Sequence, residues 1–399
     1  MSQAILEKQN LVDEEVQNLG ASWRNFLSQQ MGLNPKTFQL AIGGLGLQTS
    51  DNLGLFLMSD GLPPSSAVKY YSPDNTNSRA SAYGMLLNGL LPEGDPNGIQ
   101  NALGNNYTSW IEWQQANPPV AGDTYLGRFK QWGLEAGIDP GTLVRGEAAI
   151  LQSENSSLIK ALNNYMSKDA QQTFAQPGQP SVSAYIYTAT SDNAIRAINA
   201  GQSLNNINFD SSTESSKIDK VFIDGSASGF YSIFSAAGSG SFEKLNKKAS
   251  ESKFTITGRI GKFATLVTGP GGNWYSSAEV NRAATGKDDN TIWNPNTPSI
   301  TWGSMFEQPE GQLCRFMQNL VLVSDYDITV TSHASYTKEE YQEIKTKASA
   351  GVWPFFKSSG SFNSISEFKH NENSTLSINH KLNKGLIQIW GINIGNQSI

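Results

Sequence analysis

Four residues are the candidates for proton-transfer chemistry in this chain: Asp60, Tyr70, Tyr71 and Glu307. A carboxyl group whose pKa is raised by burial serves as a general acid or base, and a tyrosine can relay a proton beside it. Asp60 lies in Ser59-Asp60-Gly61-Leu62-Pro63-Pro64, the tyrosines in Tyr70-Tyr71-Ser72-Pro73, and Glu307 and Glu310 flank Pro309. A glycosidase-like carboxylate pair is defined by its separation in space, which order along the chain does not supply. A second group suits binding. Trp274, Tyr275, Trp293 and Trp302 lie in the stretch Pro270 to Gly311, which has poor periodicity and many Asn, Pro and Gly residues. Ordered loops of such length often carry function. Aromatic faces beside amides fit a sugar or small ligand, and they fit equally well as plugs at the end of a sheet.

Residue types remove several other chemistries. A single cysteine, Cys314, leaves no internal disulfide and no cysteine-based zinc site. The three histidines, His333, His370 and His380, are scattered, and Asp288-Asp289-Asn290 lacks the alternate acidic positions of a calcium loop. No metal and no cofactor is therefore expected. Gly44-x-Gly46 is followed by Thr49 where a dinucleotide loop needs a third glycine, and it reads as a tight turn between helices. His333 has Ser332 and Ser335 nearby, but strand neighbours point to opposite faces and no Gly-x-Ser-x-Gly elbow exists.

Net charge is −6, from 29 basic and 35 acidic residues, with no basic stripe, so nucleic acid is not an expected partner. No run approaches the ~18 apolar residues of a membrane-spanning helix. The first residues, Met1-Ser2-Gln3-Ala4-Ile5, lack a basic patch leading into an apolar run. Synthesis in the cytoplasm, with any release by a non-classical route, is the expectation.

The elements that must position these residues fall into two halves. Val12, Val16, Leu19, Trp23 and Phe26 form one apolar stripe, and so do Tyr83, Leu86, Leu87, Leu90 and Leu91. Further stripes run through Leu103, Tyr107, Trp110 and Ile111 and through Leu158, Ile159, Leu162, Tyr165 and Met166. Residues 1–173 read as a mainly helical domain. Gln176-Pro177-Gly178-Gln179-Pro180 is a breaker cluster that makes 174–180 a linker, and residues 181–399 read as a β-rich domain. The fold class is α+β.

The β-rich half resembles itself. Gly229 to Gly269 aligns without a gap on Gly351 to Gly391 at an offset of 122, matching Phe234 with Phe356, Ile256 with Ile378 and Lys262 with Lys384. An even offset preserves strand parity, so the same face stays apolar in both copies. The repeat units span about 211–269 and 337–391, entered by Ser211-x-x-Glu214 and Thr337-x-x-Glu340. Each reads as a strand of small residues, an exposed polar turn (Glu243–Glu251 and Ser364–Asn373) and a hairpin. The hairpin tips fall at Gly258–Lys262 and His380–Lys384, with a break in alternation at Gly261.

Low charge, alternation of Thr and Ser with apolar residues, and two related hairpins point to a non-enzymatic surface-binding protein. Such a chain would be membrane-active in the manner of a pore-forming toxin. Hairpins 225–268 and 347–390 would insert, and the Trp-rich loop would contact lipid or glycan. The expected partners are a membrane surface or a glycan, and self-association is compatible with both. The alternative is an enzyme of hydrolase or cyclase type, with carboxylate and tyrosine acid–base chemistry where the helical and β-rich halves meet.

Overall fold

The computed structural model describes residues 19–47, 52–63, 78–93, 97–153, 156–176, 178–216, 245, 248–249, 251–287, 289–348 and 365–396. Helix α1 covers residues 19–30 and leads to strand β1 (Phe38–Leu47). A helical body follows: α2 (Leu53–Asp60), α3 (Arg79–Asn88), α4 (Gly98–Leu103), α5 (Tyr107–Ala116), α6 (Tyr125–Glu135), α7 (Pro140–Ser153) and α8 (Ser157–Met166). Next come β2 (Gln171–Gln176), β3 (Gln179–Tyr185), α9 (Ser191–Asn199), β4 (Gln202–Asp210), β5 (Phe254–Val267), α10 (Ser277–Thr285) and α11 (Trp302–Phe306). The chain continues through β6 (Arg315–Ser332), α12 (Lys338–Ala348), β7 (Ile365–His370), β8 (Leu376–Leu382) and β9 (Ile387–Asn396). Helices dominate the first half and strands the second, which is the α+β class.

Local chemistry sets the helix starts. The side chains of Ser78, Thr124, Ser156, Thr190, Ser276 and Thr301 each accept an N–H two or three positions into the helix that follows. Each thereby satisfies a donor that has no partner inside the helix. The predicted stripes face inward: Tyr83, Leu86 and Leu87 pack with Leu158, Leu162 and Tyr165, and Trp110 packs with Phe129 and Trp132.

Three regions differ from the sequence reading. The glycine run is no turn between helices, because β1 passes through it and pairs antiparallel with β9, with a shift of register between Leu40 and Leu45. Glycine tolerates the backbone of such a bulge. By sequence position β1 belongs to residues 1–173, but by pairing it belongs to the sheet, and α1 packs Trp23 and Phe26 onto Phe209 of β4. The segment 174–180 holds the tip of the β2–β3 hairpin, paired as far as Gln176 and Gln179, with Gly178 at φ +73°.

Strand β6 is the spine of the large sheet. On one flank β5 runs along it from Ser332 to Asn319, with β4 beyond. On the other flank β8 pairs with Tyr326–Ser332 and β9 with Arg315–Val323. Outside these lie β7, against β8, and β1, against β9. The offset of 122 has a geometric counterpart. Phe254 and Leu376 oppose Ser332 from either side, Ile256 and Ile378 oppose Val330, and Ile260 and Leu382 oppose Tyr326.

Neither expected hairpin tip is one. Strand β5 runs straight through Gly258–Lys262, with Ile260 opposite Tyr326 and Lys262 opposite Ser324. The break at Gly261 coincides with a shift of register against β4, between the pairs Leu204–Ile260 and Gln202–Phe263, while the register with β6 is unbroken; on β6, Asp325 sits at φ +53° and binds Arg259 at 3.2 Å. At His380–Lys384 the chain does turn, but β8 and β9 both pair with β6 rather than with each other. The polar turns are also shorter than expected. Leu245 and Ala249 are buried in the sheet core, and β7 occupies most of 364–373. Gly258 sits at φ +142°, where an added Cβ would strike the Asp327 carbonyl oxygen. Gly258→Ala is therefore expected to destabilise the protein by about 2–4 kcal/mol in urea unfolding.

Candidate functional site

The carboxylate and aromatic candidates meet where the helical body joins the sheet. Asp60 ends α2 and Arg79 begins α3; Tyr70 and Tyr71, between them, lie outside the described residues. The Asp60 carboxylate accepts the Tyr187 hydroxyl at 2.7 Å and the Ala80 backbone N–H at 2.8 Å. Burial raises its pKa, against the pull of those two hydrogen bonds. Arg79 is buried beside it. Its guanidinium lies 4.8 Å from the Tyr275 ring centroid and 4.6 Å from that of Phe316, and it donates to the Tyr275 hydroxyl at 3.2 Å.

Trp274 closes this network. Its ring meets Tyr187, Tyr185 and Tyr83 at 5.6, 4.9 and 5.9 Å, and its N–H donates to the Ile186 carbonyl at 2.8 Å. The structure thus joins Asp60, Trp274 and Tyr275. Trp293 and Trp302 form a second group around Phe306, and their N–H groups donate to the carbonyls of Gly286 and Ala284. Glu307 is exposed just after α11. Sequence reasoning passed over Arg79 and Tyr187. Both are bound to partners far along the chain, and the only local signal is the Ser78 cap in front of Arg79.

In this network Asp60 holds α2, the start of α3 and the segment after β3 together. Asp60→Ala leaves the Tyr187 hydroxyl and the Ala80 N–H without their acceptor. The expected cost is about 2–3 kcal/mol in urea unfolding, largely restored by Asp60→Asn, which keeps an acceptor oxygen.

The other concentration of unusual features is one end of the sheet. Asp210, Thr255, Thr331 and Ser377 lie side by side in a row across β4, β5, β6 and β8. At this end β4 is joined to β5 by residues 211–253 and β6 to β8 by residues 333–375, 43 residues each time, the second connection carrying α12 and β7. The face carrying Phe254, Ile256, Val330 and Ile378 is covered by Trp23, Phe26, Leu245, Ala249 and Ile344. The opposite face carries Thr255, Thr257, Thr329, Thr331, Ser377 and Asn379, all half or fully exposed.

Polar ties hold the inserts at their bases. Lys253 pairs with Asp210, and this hydrogen bond, with one from Ser212, holds Asp210 down at about 2. Lys248 of the first insert pairs with Glu340 of the second at 2.7 Å and lies 5.4 Å from the Tyr336 ring centroid. Burial alone would raise the Glu340 pKa, but the Lys248 hydrogen bond, the Thr337 N–H and the Lys248 charge together outweigh it and the net shift is downward. Asn25 of α1 donates to the Ser215 carbonyl at 2.8 Å. His380 is buried on the apolar side of β8, and burial pushes its pKa down to about 4.

Among the described residues no group of three or more His, Cys, Asp or Glu is placed to hold a metal ion, and no helix is long and apolar enough to cross a membrane. No protein-family model, no curated protein and no solved structure matches the chain.

Proposed function

We propose that this protein is a non-enzymatic, membrane-active protein of the pore-forming kind. In this reading the two inserts extend β4–β5 and β6–β8 as hairpins into a lipid bilayer. The observation that carries the reading is the register row: two inserts of equal length leave neighbouring strands of one sheet from the same end. A transmembrane strand needs about 9–11 residues, and each 43-residue insert supplies two arms of roughly twice that. The strands already carry the required alternation, with Phe254, Ile256 and Ile378 on one face and Thr255, Thr257 and Ser377 on the other.

A bilayer tolerates no open sheet edge, so the inserted strands must close into a barrel. One chain would contribute four strands, and the smallest natural barrels have about eight, so at least two copies must assemble. The partners in this reading are a lipid surface and further copies of the chain. The test is dye release from liposomes at about micromolar protein, over phosphatidylcholine, anionic, sterol-containing and glycolipid compositions from about pH 5 to pH 7.5. Release from at least one composition is expected. Intact vesicles under every condition would contradict the reading.

A further inference from the structure

We propose that a pocket in the helical body, between α3, the end of α5 and α8, is a binding site for a neutral sugar. The pocket has a volume of about 390 Å³, within the usual range for small-ligand sites. Its lining contains no Asp, Glu, Lys, Arg or His. A charged ligand would find no counter-charge there, and part of its hydration would be lost on entry without replacement.

What the lining does offer is amides and hydroxyls. Asn88, Gln114 and Gln115 each present a donor and an acceptor on one planar group, which matches the adjacent hydroxyls of a pyranose ring. Gln114 is 8% exposed and is oriented by a hydrogen bond to the Tyr125 hydroxyl. The side chains of Asn88 and Gln115 make no hydrogen bond among the described residues, so their amides are open to a ligand. The Tyr165 hydroxyl is a further polar head, held by the stacking of its ring on Tyr185 at 5.1 Å. Met85, Ile300, Pro118 and Pro119 supply hydrocarbon for the C–H face of a sugar.

Two glycines leave room for the Tyr165 and Ile300 walls of the pocket. A Cβ at Gly84 would lie 2.5 Å from the Tyr165 hydroxyl, and one at Gly89 would strike Ile300. Helix α3 and its C-terminal cap therefore lack a side chain at the two positions where Tyr165 and Ile300 close on them. No residue of either insert lines the pocket, so sugar binding does not depend on the membrane reading.

The test is titration calorimetry of the full chain with methyl glycosides of glucose, galactose, mannose and N-acetylglucosamine, and with neutral disaccharides, up to about 50 mM. Saturable binding of at least one is expected. Glucose 6-phosphate and N-acetylneuraminic acid should bind at least about tenfold more weakly. Asn88→Ala and Gln115→Ala should each weaken binding about tenfold, and Met85→Trp, which fills the mouth from an exposed position, should abolish it. Liposome leakage should be unchanged in all three variants. No saturable binding by any neutral sugar, or binding indifferent to all three substitutions, would overturn the proposal while leaving the membrane reading untouched.

Discussion

Tying β7 to β8 should silence membrane activity without unfolding the protein. Lys369 and Ser377 oppose each other across these strands. With Lys369→Cys and Ser377→Cys, the ~5 Å between cross-strand Cβ atoms suits a dibromobimane bridge. The native thiol, Cys314, is fully buried and out of reach of the reagent. In the proposed inserted form residues 333–375 run on from β6 and into β8 as two strands, which requires β7 to leave the edge of β8. That departure also frees the edge on which a neighbouring copy would pair. Dye release from the bridged protein should fall about 100-fold or more, since the bridge blocks a step rather than weakening it. Its urea unfolding should be no easier than that of the unbridged variant. Full activity in the bridged form would mean that the second insert acts without opening.

Acidification should loosen the sheet through His380. Its pKa is about 4 in the folded protein against an ordinary 6.5. Between those values the unfolded chain binds the proton and the native chain does not. Stability is therefore complete above about pH 6.5, falls as the pH drops, and levels off below about pH 4, with a total loss of about 3 kcal/mol. Asp60 acts in the opposite sense. Its folded pKa is raised, so its burial costs stability at higher pH and that cost is relieved on acidification. The two groups sit in different cores, so acid should weaken the sheet that holds the inserts while sparing the helical body. His380→Leu should flatten the pH dependence of unfolding between about pH 6.5 and pH 4 and move the onset of leakage to lower pH. An unaltered pH profile would remove His380 from the account.

The helical half was legible because burial of one helix face is written in local spacing. The stripes at Tyr83–Leu91 and Leu158–Met166 needed no distant partner to be recognised. The 122-residue offset was also legible, and it located equivalent positions on either side of β6 without naming β6 as the strand between them. Three features were hidden for physical reasons. Strand β1 contains glycines, which carry no side chain to show a period of two. Gly258 and Gly261 signal a departure from regular backbone, and a bulge and a turn give the same signal. The Asp60 network joins residues 127 positions apart, and a buried arginine such as Arg79 reads from sequence as a surface charge.

The most direct measurement is a cysteine scan of positions 226–241 in the first insert, each carrying an environment-sensitive fluorophore such as NBD, recorded with and without leaking vesicles. The account predicts that addition of vesicles shifts alternate positions to an apolar environment and leaves their neighbours in water, with a period of two. No shift at any position, or a period near 3.6, would contradict insertion as a β-hairpin.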